Sequence, residues 1–312
     1  MNDSRRIKHT ADFALHMLGL VAGATLTLTA HATNPVTVTD DEGREITLAA
    51  PAQRIVSLAP HVTEVLFAAG AGSRIVGAVA YSDYPPEAAD IPRVGGYMSI
   101  DLEAVAALRP DLVIAWSSGN REAHLDKFAA LGIPVFMNES RRLDDVAHSL
   151  ERFGKLAGTE PEADAAAAAF RERHRQLAER FSSQAPITMF YQIWNEPLMT
   201  INGEHMISDV ITLCGGRNVF ATLPQLAPQI GTEAVLGAAP EVIVASGMGE
   251  ARPEWLDRWR DWRGLPAAEA GNLYFVPPDL IQRPTPRILD GAEIVCESLD
   301  DARKKRIAAS GR

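Results

Sequence analysis

DLEAVAALRPDLVIAW, from Asp101 to Trp116, and GTEAVLGAAPEVIVAS, from Gly231 to Ser246, are near copies of one another. Each carries Glu-Ala-Val, small or apolar residues, a proline, an acid and an apolar tail, with Glu103 and Glu233 in matching places. Proline disfavours helix at the residue before it, so Pro110 and Pro240 each end a short helix, over 102–108 and 232–238. DLVIAW and EVIVAS are continuous apolar runs too short for a helix, and read as buried strands.

The repetition extends outward on both sides. Upstream of the first copy lie a strand at Ile55–Leu58, a helix with its start signal at Thr63-Glu64 and a stop at Gly70, and a strand at Arg74–Ala78. Upstream of the second lie ITMFYQIW as a strand, a helix with its start signal at Ser208-Asp209 and a stop at Gly215, and NVFA as a strand. Acids favour the positive N-terminal end of a helix, and glycine readily takes the left-handed stop. Downstream, HLDKFAALG and EWLDRWRDWRGLPAAEAG read as helical, and PVFMN and LYFVP as closing strands. Each half is then β-α-β-α-β-α-β, the alternation that gives a parallel sheet with helices on both faces. The fold class is α/β: two Rossmann-like lobes, residues 53–158 and 185–300. Between them 159–184 is Ala-rich and charged, with Phe170, Leu177 and Phe181 at helical spacing and Pro161 near its start, a single long linker helix. Residues 33–52 read as a β-hairpin turning at Asp41-Glu42-Gly43, and 301–312 as a basic tail.

The first residues read as a signal peptide over 1–32. Arg5, Arg6 and Lys8 precede an apolar run that ends in Ala30-His31-Ala32, a small-x-small cleavage pattern near Ala32. That segment carries three bases and two acids, so its loss takes the formal charge from −10 to −11. An acidic chain repels phosphate backbones, which disfavours nucleic acid as a partner. The two cysteines, Cys214 and Cys296, read as a disulfide in an exported chain, the alternative being two buried thiols.

In open α/β sheets ligands sit beyond the carboxyl ends of the strands. The residues there are Pro60 and His61, then Tyr81 in AYSDYPP, then Tyr97, then Trp116. In the second half they are Trp194, and Asp279 with Arg283. For a chain only 6% aromatic this is a concentration of rings, suited to a large flat ligand. Catalytic machinery is not in view: there is no GxSxG, Walker loop, HExxH or GxGxxG after a strand, and the eight histidines form no close metal-ligand pair. His61 is a polar rim residue or, alternatively, a ligand to a metal or haem.

These motifs together resemble the periplasmic substrate-binding proteins of metal-chelate ABC importers, and within them the cobalamin binders. The likeness runs from about Arg54 to Ser298 through SLAPHVTE, AYSDYPPEA, LRPDLVIAW with Gly119-Asn120, LCGGRNVF and PDLIQRPTPRIL. It implies a soluble periplasmic monomer of the helical-backbone type that takes cobalamin or a related corrinoid and uses no catalytic cofactor. It implies Tyr81, Tyr97, Trp116 and Asp279 at the ligand, Cys214–Cys296 as the disulfide, and Glu103 and Glu233 docking on an inner-membrane permease dimer. A haem or ferric siderophore is the alternative ligand. The chain departs from the pattern at Ala227 and in Asp279-Leu280-Ile281-Gln282-Arg283, where the family carries aromatics, and Tyr97 stands for a tryptophan.

Overall fold

The computed structural model describes residues 35–247 and 252–310, and the expected signal peptide lies outside the described residues. β1 (Val36–Thr39) and β2 (Glu45–Leu48) form an antiparallel hairpin. The Asp40 carboxylate closes its turn by accepting from the Glu42 and Arg44 amides. Gly43 adopts φ +79°, where a Cβ is penalised.

Lobe 1 follows as β3 (Ile55–Ser57), α1 (Pro60–Ala68), β4 (Ile75–Ala78), a small antiparallel pair β5 (Gly95–Gly96) and β6 (Ser99–Ile100), α2 (Leu102–Ala107), β7 (Leu112–Trp116), α3 (Glu122–Ala130) and β8 (Val135–Asn138). α4 (Leu143–Ala157) and α5 (Glu160–Phe181) lead out of it. Lobe 2 comprises β9 (Ile187–Gln192), α6 (Met206–Leu213), β10 (Gly216–Asn218), α7 (Thr232–Ala238), β11 (Val242–Ala245), α8 (Pro266–Glu269), β12 (Leu273–Phe275), α9 (Pro278–Ile281) and α10 (Ile288–Ser310). The two main sheets are parallel, with orders β4-β3-β7-β8 and β10-β9-β11-β12. The order is the same in both, which is what the repeated stretches imply. β11 is buried along its whole length and β7 along all but its last residue, as expected of strands covered on both faces.

α5 buries Ala163, Ala167, Phe170, Leu177 and Phe181, one stripe at helical spacing. It packs on α4 so closely that a Cβ on Gly154 would lie 2.2 Å from the Ala163 Cβ. One apolar cluster runs from Val65 and Leu112 through Phe153 and Phe170 to Ile211 and Val295, joining the two lobes. The Cys214–Cys296 disulfide ties α10 to the end of α6, with Cα atoms 4.6 Å apart.

The structure corrects several boundaries. α1 begins at Pro60, where proline suits the first helical position, so Glu64 sits in the second turn and is 3% exposed. There it pairs across the lobes with Arg287, whose Nε and Nη2 reach its two oxygens at 2.7 and 2.6 Å. α6 begins at Met206, because His205 Nδ1 accepts from the Ile207 amide at 3.1 Å. Asp209 is freed to accept from the Leu143 amide of α4 at 2.9 Å, a second link between the lobes. β10 ends at Asn218, where the expected strand begins, since Asn218 turns the chain by accepting from the Phe220 amide. Residues 254–261 form 3-10 turns, with Leu256 and Trp259 buried, and Gly264 (φ +81°) and Pro266 stop any longer helix. The expected tail at 301–312 is helical through Ser310. Arg303, 5% exposed, holds it by donating to the carbonyls of Ala185 and Cys214, both at 2.7 Å.

Candidate functional site

Strands β3, β4 and β7 of lobe 1 and the turn between β5 and β6 deliver residues to one cleft. Pro60 and His61 follow β3, Tyr81 follows β4, Tyr97 stands in the β5–β6 turn, and Trp116 ends β7. Lobe 2 faces them with Pro278, Asp279, Gln282 and Arg283, all just after β12. The cleft encloses about 310 Å³. All three of its aromatic rings come from lobe 1, and the opposite wall is proline, amide and charge.

The rings are held by specific backbone devices. Tyr81 is 74% exposed and has φ +65°, a left-handed conformation that is costly for a side chain with a Cβ and that often marks functional loops. Asn120 is 7% exposed and ties three segments together. Its Oδ1 accepts from the Trp116 amide at 2.7 Å, and its Nδ2 donates to the Leu58 and Tyr97 carbonyls at 3.0 and 2.8 Å. Gly119 lets the indole lie flat on the chain: a Cβ there would be 1.9 Å from Trp116 Cε3. Tyr97 and Trp116 are 5.8 Å apart between ring centroids and tilted by 44°.

Charge crosses the cleft through Arg283, whose two Nη atoms lie 2.9 Å from Asp83 of lobe 1 and 2.9 Å from Asp279 of its own lobe. His61 is 4% exposed and stands perpendicular to Trp116 at 5.3 Å. Burial, helped by the Arg283 charge, pushes its pKa down to about 3, with the nearby Asn138 side chain opposing the shift. Its Nε2 is buried without a hydrogen-bond partner. A second, smaller cavity of about 70 Å³ shares Trp116, Gln282 and Pro284 with the cleft and has Ser118, Glu139, Arg141 and His205 in its lining. Burial, then Arg141, lowers the His205 pKa to about 4.

The structure thus brings together Pro60, His61, Tyr81, Tyr97, Trp116, Asp279 and Arg283. It does not bring Trp194 into that lining. The chain turns back after Gln192 through a Trp194–Met199 bridge, and the indole N–H is committed to the Glu196 carbonyl at 2.8 Å. Glu103 and Glu233 are exposed in the first turns of α2 and α7, away from the cleft lining. Sequence reasoning gives Gln282 and Asn120 no role. Both have a neighbouring signal, Gln282 next to Arg283 and Asn120 in the loop directly after DLVIAW. Leu226 lines the second cavity, and Ala227 lines neither.

A cleft between two parallel-sheet lobes, walled by rings on one side and polar groups on the other, defines a solute-binding architecture. The chain belongs to the periplasmic binding protein family, whose model matches residues 55–280. A vitamin B12-binding protein of Vibrio cholerae is 38% identical over 256 residues, 82% of this chain and 92% of that one. The one from Photorhabdus laumondii is 35% identical over 248 residues, 80% and 88% of the two chains. The crystal structure of the periplasmic vitamin B12 binding protein BtuF of V. cholerae matches with a TM-score of 0.75 at 37% identity, covering 81% of this chain and 99% of that one. The periplasmic heme-binding protein RhuT of Roseiflexus sp. RS-1 matches with a TM-score of 0.70 at 22% identity, covering 80% and 99%, a likeness of fold alone. Among the described residues, no helix is long and apolar enough to cross a membrane.

Proposed function

We propose that this chain is exported to the periplasm, captures cobalamin or a related corrinoid between its lobes, and delivers it unchanged to an ABC permease dimer. The observation that carries this reading is the one-sided cleft: Tyr81, Tyr97 and Trp116 on lobe 1 against Asp279, Gln282 and Arg283 on lobe 2. A corrin ring is broad and apolar on its faces and fringed with amides. Rings give large contact area with little loss of side-chain freedom, and the polar wall meets the fringe with donors and acceptors. Glu103 and Glu233 serve as one docking carboxylate per lobe. Their matched positions in the two repeats present the same group twice, which suits a permease made of two equivalent halves.

Calorimetry with cyanocobalamin, cobinamide, haemin and a ferric siderophore tests the ligand. Saturable corrinoid binding supports the reading. Tight haemin binding with a shifted Soret band and no corrinoid heat refutes it in favour of haem. For docking, Glu103→Ala with Glu233→Ala should leave corrinoid affinity intact and weaken stimulation of the reconstituted importer. Collapse of ligand affinity in that variant would show that the carboxylates belong to the cleft.

A further inference from the structure

Among the described residues that line the cleft and the smaller cavity beside it, the charged bases are Arg283 and Arg141. Arg283 Nη1 donates to Asp83 Oδ1 across the cleft, and Nη2 lies against Asp279 Oδ1 of its own lobe, both at 2.9 Å. Arg141 lies 3.8 Å from Glu139 of its own lobe and 3.7 Å from Glu204 of the other. Each guanidinium is thus flanked by one carboxylate from each lobe, and each set keeps one negative charge in surplus. His61 and His205 add no cation, since burial keeps both imidazoles neutral.

A guanidinium recognises a carboxylate best through two parallel N–H···O bonds. Both terminal nitrogens of Arg283 are already engaged, and its side chain is only 15% exposed. An incoming carboxylate would have to displace Asp83 or Asp279 and then face it. A primary amide meets the opposite situation. It has the shape of a carboxylate without the charge, and it brings two hydrogens to donate. Arg283 takes Oδ1 of Asp279 and leaves Oδ2, on a residue that lines the cleft, and an N–H given to a carboxylate makes a stronger bond than one given to a neutral acceptor. Gln282 beside it is uncharged and anchored: its Nε2 donates to Ser246 Oγ, which is fully buried and 2.6 Å from the Tyr191 hydroxyl. Asp83 is what takes Arg283 out of play. Without it, Asp279 would balance the guanidinium one to one and leave Nη1 for a ligand anion.

We propose that Asp83 sets the ligand class: by occupying Arg283 from across the cleft, it makes the site select corrinoids whose fringe is amidated and reject those, otherwise alike, that carry carboxylates. The inference rests on the corrinoid reading above. Asp83 is a specificity residue that acts through Arg283, and its effect is one of charge.

Calorimetry compares cyanocobalamin with its b-, d- and e-monocarboxylic acids, in each of which one propionamide is hydrolysed, at low and at high salt. At low salt at least one acid should bind wild type about tenfold more weakly than the parent. That is the repulsion of two unit charges about 6 Å apart at an effective dielectric of about 40, between the surface and bulk-water values. High salt should shrink the difference, because charges in a solvated cleft are screened. Asp83→Asn leaves Asp279 as the one charge facing Arg283, and should bring the ratio down to about twofold or less. A merely structural role for Asp83 would move parent and acid together and leave the ratio where it was. Asp83→Glu, which returns the charge, should return the ratio. Equal affinity of wild type for the parent and all three acids, or a ratio unchanged in Asp83→Asn, would overturn the proposal. Binding of neither the parent nor any acid by wild type would instead sink the corrinoid reading, and this inference with it.

Discussion

Replacing Glu64 by glutamine should destabilise the protein by about 2–3 kcal/mol, for reasons that lie in its surroundings. The carboxylate is 3% exposed, and both oxygens are taken by Arg287 at 2.7 and 2.6 Å. Removing one partner of a fully buried pair costs about 3–5 kcal/mol. Arg287, however, is 20% exposed, so water takes up part of the released charge. Its guanidinium also lies 3.6 Å over the Tyr84 ring, which retains up to about 1 kcal/mol of attraction. Those two terms bring the cost down to the value stated. At about 2–4 °C per kcal/mol for a domain of this size, Tm falls by roughly 4–12 °C. Circular dichroism melts of wild type, Glu64→Gln and Asp83→Asn make the comparison. Asp83 pairs with Arg283 but is 57% exposed, and exposed pairs contribute about 0–1 kcal/mol. A Glu64→Gln melt within about 0.5 kcal/mol of wild type, or no lower than that of Asp83→Asn, would refute the account of the inter-lobe pair.

Gly119→Ala places a Cβ 1.9 Å from Trp116 Cε3, so the indole must leave its seat. Corrinoid affinity, measured by calorimetry, should fall by tenfold or more, with Tm changed far less. Gly154→Ala sets two Cβ atoms 2.2 Å apart at the α4–α5 crossing. Overpacking of about 1–3 kcal/mol outweighs the helix-propensity gain of up to about 1 kcal/mol, and a urea melt should show net loss. Reducing Cys214–Cys296 releases a loop of sequence separation 82, worth about 4.5 kcal/mol in the chain-entropy model; a dithiothreitol-treated sample should melt well below the oxidised one. Burial holds the folded-state pKa values of His61 and His205 at about 3 and about 4, below the ordinary imidazole value of about 6.5. The unfolded chain therefore binds protons first, and stability drains away as pH falls from about 6.5 toward 3, by up to about 1.4 kcal/mol per unit for each histidine. Melts from pH 7.5 to 4 should show this slope, and His61→Phe with His205→Asn should flatten it.

The architecture is readable because each lobe states it twice, in hydrophobic runs and in glycine and proline stops. The cleft is readable because parallel strands put their next residues at one end, which locates His61, Tyr81, Tyr97, Trp116 and Asp279 without any contact map. What fails is what depends on tertiary partners. Thr63-Glu64 and Ser208-Asp209 resemble helix starts, yet Glu64 and Asp209 are acidic because Arg287 and the Leu143 amide lie in the other lobe. No local pattern signals partners 223 and 66 residues away. Trp194 fails for the opposite reason: a short local turn claims its N–H before the cleft can. The basic residues at the C-terminus look like a tail until Arg303 is seen to find two carbonyls.

Trp116 has an optical consequence. The chain has five tryptophans, and Trp116 is the only one in lobe 1; the other four, at 194, 255, 259 and 262, lie in lobe 2 and line no part of the main cleft. Subtracting the emission of a Trp116→Phe protein from that of wild type would isolate a single fluorophore at the wall where solute arrives. With Glu64–Arg287 and Asp209–Leu143 clamping the lobes together, a pair of dyes spanning the lobes has little distance change to report. A sensor made from this protein should therefore be read through its own indole.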